Sequence, residues 1–241
     1  MTDSSHPHVA TYPVSIAAEA AQISADLAMP DDARGIVLFA HGSGSSRFSH
    51  RNRAVAAALQ AAGFATLLVD LLTSREEAED VDTGQHRFNI ELLATRVAAA
   101  TDWLAHDPRT RALPIGYFGA STGAAAALLA AARRPERVQA VVSRGGRPDL
   151  AGAPLRRVRA PTLLIVGGND PEVLQLNRLA QRELGSQTAL TVVPGATHLF
   201  EEPGALDAVI AAAIEWFVEH LTSAPVGQRA HLRRARRTRS R

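Results

Sequence analysis

A chain of 241 residues can enclose one large domain with a full hydrophobic core and is short for two. Its 46% apolar and 21% charged content is ordinary for a globular protein, and no apolar run approaches the length of a membrane span. There is no cysteine and all 26 basic residues are arginine, which excludes disulfides, thiolate chemistry, Cys-ligated metals, Walker A or Schiff-base lysines and a Ser-Lys dyad.

The chain opens with MTDSSHPHVATYPV, which has neither a basic n-region nor an apolar h-region. No signal peptide is expected, and a cysteine-free chain fits a reducing cytoplasm. Two weak strands, near 12–17 and 21–28, are close enough to pair antiparallel. GIVLFA (35–40) predicts a buried strand, followed by the glycine-rich AHGSGSSRFSHRN and a helix over 50–62. ATLLVD (65–70) is the next strand, and LLTSREEAEDVDTGQHR (71–87) reads as a long polar loop at its carboxyl end. A helix over 88–105, a strand at LPIGYFG (113–119) and an alanine-rich helix over 122–134 follow. VQAVVS (138–143), PTLLIVG (161–167) and TALTVV (188–193) complete the strands, with helices over 172–184 and 204–221.

Strands alternating with helices predict an α/β fold, a mostly parallel sheet of about eight strands with helices on both faces. The 17 residues between 143 and 161 leave no room for a separate cap domain. One domain is therefore expected over 1–221. Residues 222–241, TSAPVGQRAHLRRARRTRSR, hold seven arginines and no acid, and setting them aside takes the net charge from +2 to −5. Such a tail is expected to be disordered, and solvation explains it better than contact with nucleic acid or an acidic partner.

The chemistry centres on GASTG (119–123), where a strand runs into a helix. Gly and Ser are common at such turns, so the residues allow a turn serine or a nucleophile on a tight bend. As nucleophile, Ser121 needs small flanks, which Gly119 and Gly123 supply, and the helix N-terminus at Thr122 aims free N–H groups at the same spot. Its base must come from nine histidines. His198, in VVPGATHLFEEP between the last strand and the last helix, is best placed; His41 is expected to shape its loop, and His50 and His86 are secondary candidates. Asp170, in LLIVGGNDPEV after the penultimate strand, can orient His198 or simply cap a helix; Asp149 and Asp207 are the alternatives. The N–H groups of Ser43 and Thr122 are the expected oxyanion hole. A phosphate loop is a poor alternative, lacking a third glycine and a lysine. Arg47, Arg87 and Arg144 fall in loops at the binding edge and could grip a substrate carboxylate, or pair with the acids of 76–82. Phe48, Phe88, Leu199 and Phe200 could line an apolar wall or belong to the core.

The motifs AHGSGSSRFSHRN, GYFGASTGAAAAL, LLIVGGNDPEV and GATHLFEEPGAL, in that order across residues 10 to 221, resemble the dienelactone hydrolase-like branch of the α/β-hydrolase superfamily. The resemblance implies Ser121 as nucleophile, His198 as general base and then acid, and Asp170 as its orienter, with no cofactor and no metal. Dienelactone hydrolase itself uses a cysteine nucleophile where this chain has serine, which moves the expected substrate from a lactone toward a small or medium carboxylic ester. Some relatives are joined to a phosphoribosyltransferase domain, which nothing here resembles. Thioester, lactone or C–C bond cleavage and acyl transfer use the same triad, and a binding protein on a hydrolase scaffold is the non-enzymatic alternative.

Overall fold

The computed structural model describes residues 8–221, so the Arg-rich segment 222–241 lies outside the described residues. Eight strands form one sheet: β1 (Val9–Ala18), β2 (Ala21–Pro30), β3 (Ile36–Ala40), β4 (Ala65–Val69), β5 (Ile115–Ala120), β6 (Val138–Arg144), β7 (Thr162–Gly167) and β8 (Thr188–Val193). Their order across the sheet is β1-β2-β4-β3-β5-β6-β7-β8. The β1–β2 and β2–β4 pairs are antiparallel and the others parallel. Every residue of β3, β4, β5 and β7 is buried, which is why these strands read as unbroken apolar runs.

The helices are α1 (His50–Ala61), α2 (Ser74–Thr83), α3 (Ile90–His106), α4 (Thr122–Arg133), α5 (Pro171–Glu183) and α6 (Ala205–His220). Helices α3, α4 and α5 contribute to the apolar cluster on one face of the sheet, and α1 and α6 to that on the other. Helix α4 is buried from Thr122 to Ala131, and its alanines let it pack closely against both the sheet and α3. Between β6 and β7 the chain makes only two short 3-10 turns (Pro148–Ala151 and Ala153–Arg157), and no separate cap domain is present among the described residues. No helix among them is long and apolar enough to cross a membrane.

One expectation is corrected. The segment 71–87 is not a polar loop throughout: Ser74–Thr83 is a helix, α2, closed at its start by a capping box. The Thr73 hydroxyl accepts from Glu76 N–H (3.2 Å) and the Glu76 carboxylate accepts from Thr73 N–H (2.7 Å). Glu76 also takes two hydrogen bonds from the buried Arg96 of α3, which ties α2 to the body of the domain. Burial alone would raise the Glu76 carboxyl, but these donors hold it below the usual range.

The bend at GASTG depends on two glycines. A Cβ on Gly119 would meet the backbone of Ala124, and one on Gly123 would fall inside the carbonyl oxygens of Ala40 and His41. Neither neighbour is a movable side-chain tip, so the strand or the helix would have to shift. Gly123→Ala is expected to destabilise the domain by about 3 kcal/mol or more, read from urea unfolding.

Candidate active site

Ser121 stands between β5 and α4 with φ 50 and ψ −122, a left-handed conformation unusual for a residue with a side chain. The β6 loop clasps the bend: Ser121 N–H donates to the Arg144 carbonyl (3.2 Å), and the Ser121 carbonyl accepts from Arg147 N–H (3.1 Å). Above it, His198 Nε2 lies 3.4 Å from Ser121 Oγ, at the long limit of a hydrogen bond. His198 Nδ1 is 2.7 Å from Asp170 Oδ2. The carboxylate accepts the Nδ1 proton, so the Nε2 lone pair faces the serine. Ser121, His198 and Asp170 come from three loops at the carboxyl edge of the sheet, 77 and 28 residues apart in the chain.

Asp170 does both things its sequence position allowed. Oδ2 meets His198, while Oδ1 accepts from Val173 N–H (3.4 Å) and caps α5. The two loops are laced together. Gly168 N–H donates to Val193 O (2.8 Å), and Asn169 donates from its backbone to Ala196 O and from Nδ2 to Gly195 O, each at 2.9 Å. A Cβ on Gly167 would strike the Ala196 and Thr197 carbonyls, so only glycine permits this approach. Glu202 folds the histidine loop by accepting from Thr197 N–H (3.1 Å) and Oγ1 (2.5 Å). The hydroxyl bond, first among these contacts, draws the Glu202 carboxyl below its usual range. Sequence reasoning missed Asn169 and Glu202, because a lone polar loop residue carries no pattern.

Ser43 and Thr122 face each other, their hydroxyl oxygens 3.0 Å apart. Neither backbone N–H has an acceptor among the described residues. Both residues line a cleft of about 340 Å³ walled by His41, Leu71, Leu72 and Leu93 and, from α2, by Glu77, Asp80 and Val81. Burial first, and the Asp70 charge second, raise the Glu77 carboxyl.

His41 lies at the base of this cleft as part of the framework. Its Nε2 accepts from Leu71 N–H (2.9 Å), so the proton sits on Nδ1 and is donated to the Gly42 carbonyl (2.9 Å). Burial pushes the imidazole pKa down, outweighing the Gly42 carbonyl and Asp70. A histidine held neutral in the fold contributes stability that is complete above its ordinary value of 6.5 and lost as the pH falls below it. The urea midpoint is therefore expected to drop between about pH 7.5 and about pH 5.5, and the drop to shrink in His41→Gln. His50, at the start of α1, is exposed, and His86 Nε2 lies 3.5 Å from Glu79.

The three arginines part company. Arg47 pairs with Asp70, and its Nε lies 3.5 Å from Asp26. Arg87 lines the cleft but donates from Nε to the buried Asp80 (2.6 Å), within the 76–82 acids. Arg144 is buried with no acid partner among the described residues. Asp149 pairs with Arg147 at 2.8 Å, and Asp207 lies in the first turn of α6. Phe48, Phe88 and Leu199 are exposed, whereas Phe200 is in the core with φ 56.

The family model of the dienelactone hydrolase family matches residues 23–222. The chain belongs to the dienelactone hydrolase family. A dienelactone hydrolase from Anabaena variabilis is 57% identical and superimposes with a TM-score of 0.87, over 90% of this chain and 99% of that one. Est1E from Butyrivibrio proteoclasticus shares the fold at 18% identity and a TM-score of 0.72, over 86% of this chain and 98% of that one. Two Mycobacterium tuberculosis proteins that carry the provisional description phosphoribosyl transferase are 58% identical over 208 residues, 86% of this chain and 46% of theirs. The chain thus spans about half the length of the curated relatives it matches. Membership of this family makes the domain a hydrolase of the α/β-hydrolase fold.

Proposed function

We propose that this dienelactone hydrolase family member is a serine hydrolase that cleaves a small or medium carboxylic ester through an acyl-enzyme. The observation that carries the reading is the line Asp170 Oδ2, His198 Nδ1, His198 Nε2, Ser121 Oγ, ending on a serine held in a strained bend at a helix N-terminus. Ser121 Oγ attacks the ester carbonyl while His198 Nε2 takes its proton, and Asp170 stabilises the imidazolium. The N–H groups of Ser43 and Thr122 receive the oxyanion, and the positive end of α4 adds to them. His198 then protonates the departing alcohol, and a water activated by the same imidazole releases the acid. Contraction of the 3.4 Å gap on substrate binding fits a site that tightens in the Michaelis complex.

Thioesters and lactones offer the same carbonyl chemistry, and the α2-walled cleft suits an uncharged acyl chain of modest size. The transferase description belongs to proteins of which this chain matches 46%, and a carboxylate, imidazole and hydroxyl in line are a device for acyl transfer. We infer a cytoplasmic setting from the cysteine-free composition, which fits a reducing compartment. The test is labelling by a fluorophosphonate probe, read by intact-protein mass. One adduct on the native chain and none on Ser121→Ala is expected; a folded native chain that takes no label would overturn the reading in favour of a binding protein on a hydrolase scaffold.

A further inference from the structure

The two donors of the oxyanion hole stand on different footings. Thr122 is the first residue of α4, 3% exposed, and is fixed by the buried helix that follows it. Ser43 belongs to an exposed turn after β3, closed by a bond from Ser45 N–H to the Gly42 carbonyl (3.2 Å) and carrying Gly44 at φ 66. The β3–β5 pairing has already ended, at Ala40 and Gly119.

The turn nevertheless lies directly on the nucleophile bend. A Cβ on Gly42 would come within 3.0 Å of the Ser121 Cβ and 3.1 Å of the Ala120 carbonyl oxygen. Between residues 42–46 and 120–124 the described residues supply one hydrogen bond, and it joins the Ser43 and Thr122 hydroxyls at 3.0 Å. Ser43 Oγ has a second, longer contact, 3.4 Å from the Arg87 carbonyl. A carbonyl only accepts, so Ser43 donates to Arg87 and accepts from Thr122. Arg87 is seated in turn by Asp80, whose Oδ1 accepts from the N–H groups of His86 (2.6 Å) and Arg87 (3.1 Å). The series Thr122, Ser43, Arg87, Asp80 thus runs from the bend to the α2 wall of the cleft.

Its direction decides what the hydroxyls can do. Each has one proton, and both protons are committed within the series, so neither hydroxyl is free to act as a third donor to the oxyanion. What is left to them is geometry: the side chains of the two donor residues hold their own backbone N–H groups in place. Preorganised donors stabilise charge without rearranging as it develops, and a misplacement of about 1 Å can cost about 10²-fold in rate.

We infer that the Thr122 hydroxyl is a positioning group, which holds the Ser43 turn through the Ser43 hydroxyl and so sets the oxyanion hole. This deepens the serine-hydrolase reading and rests on it.

The experiment compares Thr122→Val, Ser43→Ala, the double variant and Thr122→Ser with the native chain. Turnover of p-nitrophenyl acetate, the rate of fluorophosphonate labelling and thermal unfolding are followed in each. Both single variants are expected to lower kcat and the labelling rate by about tenfold to a hundredfold. KM should change little, because the oxyanion exists only in the transition state. The double variant should be no slower than the slower single, because either change breaks the same link. Thr122→Ser, which keeps the hydroxyl, should recover most of what Thr122→Val loses. Rates within about twofold of native in both single variants would overturn the inference. Losses that multiply in the double variant would also overturn it, since each hydroxyl would then act on its own. A Thr122→Ser protein as slow as Thr122→Val would do the same, by making the loss an effect of packing. Should Thr122→Val not fold, Ser43→Ala decides alone, because Ser43 is exposed and its truncation leaves the core intact. A native chain that takes the label, with variants that take it at the native rate, sinks the positioning role and leaves the hydrolase. A native chain that takes no label sinks both.

Discussion

Ser121→Gly is expected to abolish ester turnover, by roughly 10⁴–10⁶-fold, and yet to give a more stable protein than Ser121→Ala. The loss follows from removing the attacking oxygen, and both variants share it. The difference between them comes from the backbone. At φ 50 and ψ −122 a Cβ is strained, and Ser121 Oγ makes no capping bond that would offset the strain. Alanine keeps the Cβ and the strain, whereas glycine adopts this conformation freely. Urea unfolding should separate the two variants by about 1 kcal/mol in favour of glycine. Equal stabilities would mean that the surrounding hydrogen bonds to Arg144 and Arg147, not the conformation, set the cost of the bend.

Asp170→Asn should lower kcat by about 10⁴-fold while the domain remains folded. Asparagine caps a helix as well as aspartate does, so α5 keeps its first turn. It cannot accept the His198 Nδ1 proton and stabilise the imidazolium as a carboxylate does, and its amide favours the tautomer that puts a proton on Nε2, facing Ser121. Asp170→Ala removes both functions and should cost about 1 kcal/mol of stability in addition. The pair of variants, assayed with p-nitrophenyl acetate and by thermal unfolding, separates the two duties of one carboxylate. Asn at native turnover would leave His198 without a required orienter.

Much of this arrangement was legible in the chain because six of the eight strands are short apolar runs bounded by Gly, Pro, Ser or Asp, with two weaker strands before them. Every strand and five of the six helices follow from that alternation, and Ser121, Asp170 and His198 all sit where strand ends put them. Helix α2 escaped because SREEAEDVDT has no apolar stripe to reveal it. Its signal was local, Thr73 followed three residues later by Glu76. The arginines show a different limit. Arg47, Arg87 and Arg144 look alike in sequence, and only the fold shows that Asp70 and Asp80 occupy two of them and leave the third bare.

Helix α4 has almost no wet face: its first ten residues are all buried, seven of them alanine or glycine. Water and salt therefore have little access to the peptide dipoles that add up along it. In an exposed helix, counterions gather at the ends and quench the field within a turn. Here the field lines leave through the amino terminus, at Ser121 and the unpaired N–H of Thr122, with low-dielectric protein behind them. A string of alanines, the plainest part of the sequence, thus serves as an insulator that delivers the helix's charge separation to one serine.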